Sequence, residues 1–214
     1  FGEAPRWRDG RLWFSDIKGH KIKTVDLNGT VKTILEIEGE PSGLGWLPDE
    51  SMVVVSMLDH CVMRYNGETL SILADVGHLS SGKLNDMVVD KQGHIYLSNL
   101  GYDYEKGEER VTTNIVRVDV DGSSQAAADG VWCPNGMAIT ADGKTLIVGQ
   151  SAKPQILGFD LAHDGTLSNR SVYAELPEAR IADGICVDAE GALWVASPIS
   201  KEFVRIKKGG EVTD

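Results

Sequence analysis

The sequence predicts an all-β fold, a six-bladed β-propeller of which this chain carries about five blades. Three observations point there. Turn residues recur at Gly10, Glu50, Gly93, Gly143 and Gly191, spaced by 40, 43, 50 and 48 residues. Ser42, Asn85, Asn135 and Asp183 each stand eight positions before a turn, and Gly2 holds that place before Gly10 with Glu3 one position on. Long helical periodicity is absent, while short β-rich runs end in Asp-Gly and Asn-Gly turns. Four short strands repeating every ~40–50 residues are the signature of propeller blades.

The first strand of each unit begins at the marked polar residue. The second is the apolar run Leu12–Phe14, Met52–Val55, Ile95–Leu97, Leu146–Val148 or Leu193–Val195, reaching Ser15, Ser56, Ser98, Ser151 or Ser197. Third strands are expected at Lys21–Asp26, Cys61–Tyr65, Ile115–Asp119, Ile156–Asp160 and Phe203–Lys207, and fourth strands at Val31–Ile37, Leu70–Val76 and Ser171–Leu176. First strands line a propeller's channel, so the marked residues converge at one mouth. The Asn99–Thr113 segment enlarges the loop between second and third strands on that face and reads as a lid or specificity element, or as a solvated insertion. The fifth unit stops within or before its fourth strand, and an open arc of blades would leave a strand edge unpaired. Residues 1–214 are therefore expected to form one propeller domain, C-terminally incomplete, whose closing blade is not in this chain.

Apolar residues make up 42% and charged residues 25% of the chain, ordinary values for a globular protein, and the net charge is −11. Such an acidic chain without basic, aromatic-interleaved stretches is not expected to bind nucleic acid. No run approaches the ~20 apolar residues that span a bilayer, so no membrane association is expected. Cys61, Cys133 and Cys186 are odd in number and widely spaced, which suggests reduced, buried thiols and a cytoplasmic setting. The five tryptophans mostly fall in strands and read as core rather than as a carbohydrate platform, although Trp132 borders the site loop.

Oxygen ligands suit hard cations. Glu3 and Asp183 would neutralise a divalent ion, with the amide of Asn135, and that of Asn85 as a further candidate, completing a partial shell. Single Asn or Asp residues before strands commonly cap turns, but four at one repeat position favour a site. The repeated serines have no paired histidine and no GxSxG elbow, and His20, His60, His78, His94 and His163 form no HExxH motif.

Gly2-Glu3-Ala4-Pro5-Arg6-Trp7, Leu12-Trp13-Phe14-Ser15-Asp16-Ile17, Leu84-Asn85-Asp86-Met87, Asn135-Gly136-Met137-Ala138 and Asp183-Gly184-Ile185 resemble the regucalcin (senescence marker protein)/gluconolactonase family over essentially the whole chain. That resemblance implies a six-bladed propeller with one divalent metal in its channel, Ca²⁺ first, with Zn²⁺, Mg²⁺ or Mn²⁺ as alternatives. It implies Glu3, Asn135 and Asp183 as metal ligands and Asn85 as substrate-binding. Asp183 is then also the candidate general base, and Lys83 stands where some members carry a lactone-holding arginine. The expected activity is metal-dependent hydrolysis of a small-molecule sugar lactone to its aldonic acid. Phosphotriesterase-type hydrolysis on the same site and a non-enzymatic calcium-binding propeller are the alternatives. Ser42 shares the register without support as a ligand, and the sequence does not define an oligomeric state.

Overall fold

The computed structural model describes residues 1–103, 106–177 and 180–214 and is all-β. The first sheet contains β1 (Gly2–Arg8), β2 (Arg11–Asp16), β3 (Lys21–Asp26) and β4 (Val31–Glu36). The second contains β5 (Pro41–Trp46), β6 (Met52–Ser56), β7 (Cys61–Tyr65) and β8 (Leu70–Asp75). The third contains β9 (Leu84–Val89), β10 (Ile95–Asn99), β11 (Thr112–Val118) and β12 (Ser124–Trp132). The fourth contains β13 (Pro134–Ile139), β14 (Thr145–Gln150), β15 (Gln155–Leu161) and β16 (Leu167–Glu175). The fifth contains β17 (Ile185–Val187), β18 (Leu193–Ser197) and β19 (Glu202–Ile206), with Val212 making an isolated bridge to Ile206.

Each sheet is an antiparallel meander, and the first strands pack side by side in the order β1, β5, β9, β13, β17. This is the arrangement of five blades of the expected six-bladed β-propeller. The third strands expected from sequence agree closely, and β3 and β7 match residue for residue. Strand β12 had no sequence signal, because Ser124–Gly130 lacks apolar alternation. The enlarged loop is shorter than expected, since Asn99 ends β10 and β11 begins at Thr112. Tyr104 and Glu105 of that loop lie outside the described residues.

Alternation places one apolar face of each strand against the next blade, and the cores form between blades. Ile22, Leu44 and Val54 join the first two sheets; Val53, Val62, Met87 and Leu97 join the second and third. Tyr96, Ile115, Leu146 and Phe159 join the third and fourth, and Ile147, Ile156, Leu193 and Val204 join the fourth and fifth. Burial of each such side chain stabilises by roughly 1.5–3 kcal/mol.

Two expectations are corrected by the faces that no described blade covers. On the fifth sheet Trp194 and Phe203 are 36% and 75% exposed, and Cys186 is exposed beside them, so not all cysteines are buried. Trp7 on the first sheet is 58% exposed. Trp7 and Trp194 are thus not core, although both lie in strands.

Glycine decides how closely the inner strands approach. The Gly136 N–H donates to the Asp183 carbonyl at 3.0 Å, and a Cβ there would overlap that oxygen and lie 2.6 Å from the Ile185 nitrogen. Gly43 lies equally tight against the backbone of Asp86 and Met87. Gly136→Ala is expected to destabilise the protein by about 1–3 kcal/mol in denaturant unfolding. Gly184→Ala, whose Cβ meets open space, is expected to change stability little and serves as the control.

Candidate metal centre

Every inner strand enters its sheet with one residue more than its partner. Glu3 pairs with Ser15 but Arg6 with Trp13; Pro41 pairs with Ser56 but Leu44 with Val54. The same shift separates Leu84–Asn99 from Met87–Leu97, and Pro134–Gln150 from Met137–Val148. In the fifth sheet the Asp183 N–H donates to Ala196 O at 2.9 Å just ahead of the Ile185–Val195 pair. A β-bulge breaks the two-residue alternation and re-aims side chains. Here it does so at the channel mouth, where Glu3, Ser42, Asn85 and Asn135 stand, while Asp183 sits in the segment leading into β17.

The strand-end serines hold this entrance in place. Ser15 Oγ donates to the Ser42 carbonyl of the next blade, Ser98 Oγ accepts from the Asp86 N–H at 2.9 Å, and Ser151 Oγ donates to the Ala182 carbonyl at 2.8 Å. His20 and His60 occupy left-handed turn positions, with φ of 55° and 51°, and their Nδ1 atoms bond Glu38 O and Ser80 Oγ. They are turn residues of the site face.

At the mouth the charge of Asp183 acts on Glu3, and the Asn135 side chain hydrogen-bonds Asp183. Burial pushes the Glu3 carboxyl up to about 7, reinforced by the charge of Asp183 and then that of Asp86. The Asp183 carboxyl is also raised, by burial first and by the Asp86 charge, while a hydrogen bond from the Asn135 side chain opposes the shift. Asn135 Nδ2 also donates to Ser151 Oγ at 3.0 Å. Asn85 is buried, and its Oδ1 accepts from Ser42 Oγ at 3.4 Å, so Ser42 supports the neighbouring amide. Lys83 is half-buried just before β9, and its carbonyl accepts from the Leu100 N–H at 3.0 Å.

These donors fit a hard divalent cation. The charge of Asp183 raises the partly buried Glu3 carboxyl more than that of Arg6 lowers it, and amide oxygens supply neutral ligands beside the two carboxylates. Among the described residues no three His, Cys, Asp or Glu side chains gather as a ligand set, so a cation here would depend on the asparagines as well.

The sequence reading passed over Arg6 and Asp86. Arg6 Nη2 donates to Asp86 Oδ1 at 3.1 Å and to the Met87 carbonyl at 2.8 Å, linking the first blade to the third. A signal was present: Asp86 follows Asn85 as Glu3 follows Gly2, in the place held by Gly43, Gly136 and Gly184 elsewhere. On the rim, Tyr102 hydrogen-bonds the Cys133 side chain, whose thiol is pushed up by burial and lies within reach of the Asp183 charge. Arg180 is engaged by Glu202, with Nε to Oε1 at 2.7 Å and Nη2 to Oε2 at 3.2 Å.

A propeller with an acidic oxygen cluster at its channel mouth is a class that includes many proteins, and comparison narrows it. Residues 1–214 match the family described as SMP-30/Gluconolactonase/LRE-like region, and the chain belongs to that family. Among its relatives, regucalcin of Xenopus laevis is 26% identical over 211 residues, covering 96% of this chain and 71% of that protein. The solved structure of a gluconolactonase from Xanthomonas campestris superposes with a TM-score of 0.82 at 24% identity, over 99% of this chain and 74% of that one. A regucalcin from Agrobacterium tumefaciens, described as a calcium-binding protein, gives 0.84 at 19% identity over 100% and 73%. At these identities the structural matches establish the shared fold. No helix among the described residues is long and apolar enough to cross a membrane.

The raised Glu3 carboxyl has a definite consequence for the metal-free protein. Between the ordinary carboxylate range and about 7 the folded state holds a proton that the unfolded chain has lost, so stability is greatest at the acid end of that window and falls as pH rises through it. Thermal unfolding of chelator-treated protein between about pH 5 and about pH 8 is expected to show this fall, and Glu3→Gln to flatten it. Calorimetric titration with Ca²⁺ is expected to show proton release and weaker binding below about pH 7.

Proposed function

We propose that this chain is the metal-binding part of a sugar-lactone hydrolase, in which Glu3, Asn135 and Asp183 hold one divalent cation, Ca²⁺ first. The observation that carries the reading is the pair of like-charged, partly buried carboxylates, Glu3 and Asp183, beside the Asn135 amide. Family membership supports it, as does the gluconolactonase description of the Xanthomonas campestris relative.

A bound cation supplies Lewis-acid polarisation of the lactone carbonyl. The chain's own groups do the rest. Asp183 accepts the proton of the attacking water at its carboxylate, and general-base assistance of this kind contributes roughly 10²–10⁴-fold. The Asn135 hydrogen bond orients that carboxylate. Asn85, steadied by Ser42, offers its amide to the substrate hydroxyls, and Lys83 stands beside it at the strand entrance. The loop carrying Tyr102 packs against Cys133 at the rim, which supports a role for it as a specificity element. The exposed faces of the first and fifth sheets, around Trp7, Trp194 and Phe203, support a sixth blade that covers both.

Asp183→Ala is expected to lower lactone opening, followed by proton release, by at least 10²-fold. Full activity in that variant with metal still bound would remove Asp183 from the chemistry. Chelation is expected to abolish turnover and Ca²⁺ or another divalent ion to restore it; activity that survives thorough metal removal would overturn the mechanism. A calcium-binding role without catalysis is the second reading, favoured by the description of the Agrobacterium tumefaciens relative. Tight Ca²⁺ binding with no turnover across a panel of lactones and organophosphate esters would establish it.

A further inference from the structure

Arg6 and Asp86 form a charged pair inside the channel that the proposed chemistry does not use. Asp86 occupies the bulge of β9 in the register that Glu3 holds in β1, whereas three other blades carry glycine there. Its side chain is only 10% exposed, and that of Arg6 27%. Asp86 Oδ1 accepts from the Met87 N–H at 2.8 Å as well as from Arg6 Nη2 at 3.1 Å, which ties this oxygen to the backbone and to the guanidinium. The Arg6 guanidinium is held by three acceptors: Asp86 Oδ1, the Met87 carbonyl at 2.8 Å, and the Pro5 carbonyl at 3.1 Å. It spans from the first blade to the third past β5, where Gly43 and Gly45 keep the strand thin enough to lie against Asp86, Met87 and Val89.

The charges acting on Glu3 are those of Asp183, Asp86 and Arg6. With all of them ionised, as a bound cation requires, three carboxylates and one guanidinium carry two net negative charges, which a divalent cation cancels. Without Arg6 the pocket would carry three, a balance suited to a trivalent ion. We infer that Arg6 is the built-in counter-ion of the channel: paired with Asp86, it sets the pocket's net charge and with it the selectivity for divalent over trivalent cations. This rests on the cation-binding reading above. The pair also fixes the height of Glu3 against Asn85, because its hydrogen bonds join the two bulged strand entrances directly.

The test uses Ca²⁺ and Tb³⁺ as probes, with dissociation constants measured by calorimetry and terbium luminescence on the wild type, Arg6→Met, Asp86→Asn and the double variant. Arg6→Met is expected to tighten Ca²⁺ binding about tenfold, and Tb³⁺ binding by about one and a half times as many logarithmic units, because the Coulomb energy scales with ion charge. Asp86→Asn is expected to weaken both in the same proportion, and the double variant to return near wild type. If Arg6→Met does not fold, Asp86→Asn still carries the test, since it removes a charge with almost no change of shape. A role confined to packing would weaken both ions equally in every variant, and that pattern, or an Arg6→Met protein with unchanged ion preference, overturns the inference. Wild-type protein that binds neither ion sinks the cation-binding reading itself and this inference with it. Failure of the inference alone leaves wild-type Ca²⁺ binding intact and removes only the charge-dependent pattern among the variants.

Discussion

Glu3 and Asp183 lie far apart in the sequence and stand at one channel mouth, where burial disfavours the charged form of each and a neighbouring carboxylate adds to it, Asp183 for Glu3 and Asp86 for Asp183. Hydrophobic packing alone would keep such groups apart, since desolvating a carboxylate without a partner is costly. The blades nevertheless bring them together, because the apolar faces that seal one sheet against the next fix the radius at which the inner strands run. The cores between blades therefore supply the free energy that holds the acidic mouth in place. The acidic mouth is a costly feature held in a stable frame, and on the proposed reading a divalent cation offsets that cost.

Two backbone devices turn this frame into a site. The one-residue bulge at the head of each inner strand rotates polar side chains out of the alternation that would otherwise send them between blades. Glycine directly after the marked residue, at positions 43 and 136, lets neighbouring inner strands touch through their backbones. Where a carboxylate replaces that glycine, as at Glu3 and Asp86, a charge is placed on the channel wall. At Asp86 one carboxylate oxygen, Oδ1, accepts from both Arg6 and the Met87 N–H.

The strand repeat and the polar column were legible in the sequence because both are local: a period, a turn residue and the residue eight positions before it. The proposal that Glu3, Asn135 and Asp183 share one site starts from the ring that the repeat implies. The Arg6–Asp86 contact was not, since an arginine in a first strand reads as an ordinary polar position until the ring brings β9 to it. Burial was misread at Trp7, Trp194 and Cys186 for a related reason. Alternation assigns a side chain to a face, but what covers that face is set by the neighbouring blade. Strand β12 escaped because its pairing with β11, and not its own composition, makes it a strand.

Several of the chain's aspartates close turns at the end of the propeller opposite the site. Asp26 accepts from the N–H groups of Asn28 and Thr30, Asp90 from those of Gln92 and His94, and Asp188 from those of Glu190 and Ala192, each at 2.9–3.0 Å. Asp49 and Asp142 close the equivalent turns through Ser51 and Lys144. These carboxyls close tight turns between strands, as Asx turns do; Asp26 is held below its ordinary range first by the Thr30 N–H, Asp49 and Asp142 first by the hydroxyls of Ser51 and Thr140, and Asp188 first by Arg205. With one face locked by short self-capped turns, variation in loop length and chemistry falls on the other. That face carries the Tyr102 loop, the Lys83 segment and the convergent oxygens, so the division of labour between the two ends of the channel follows from where the backbone already satisfies itself.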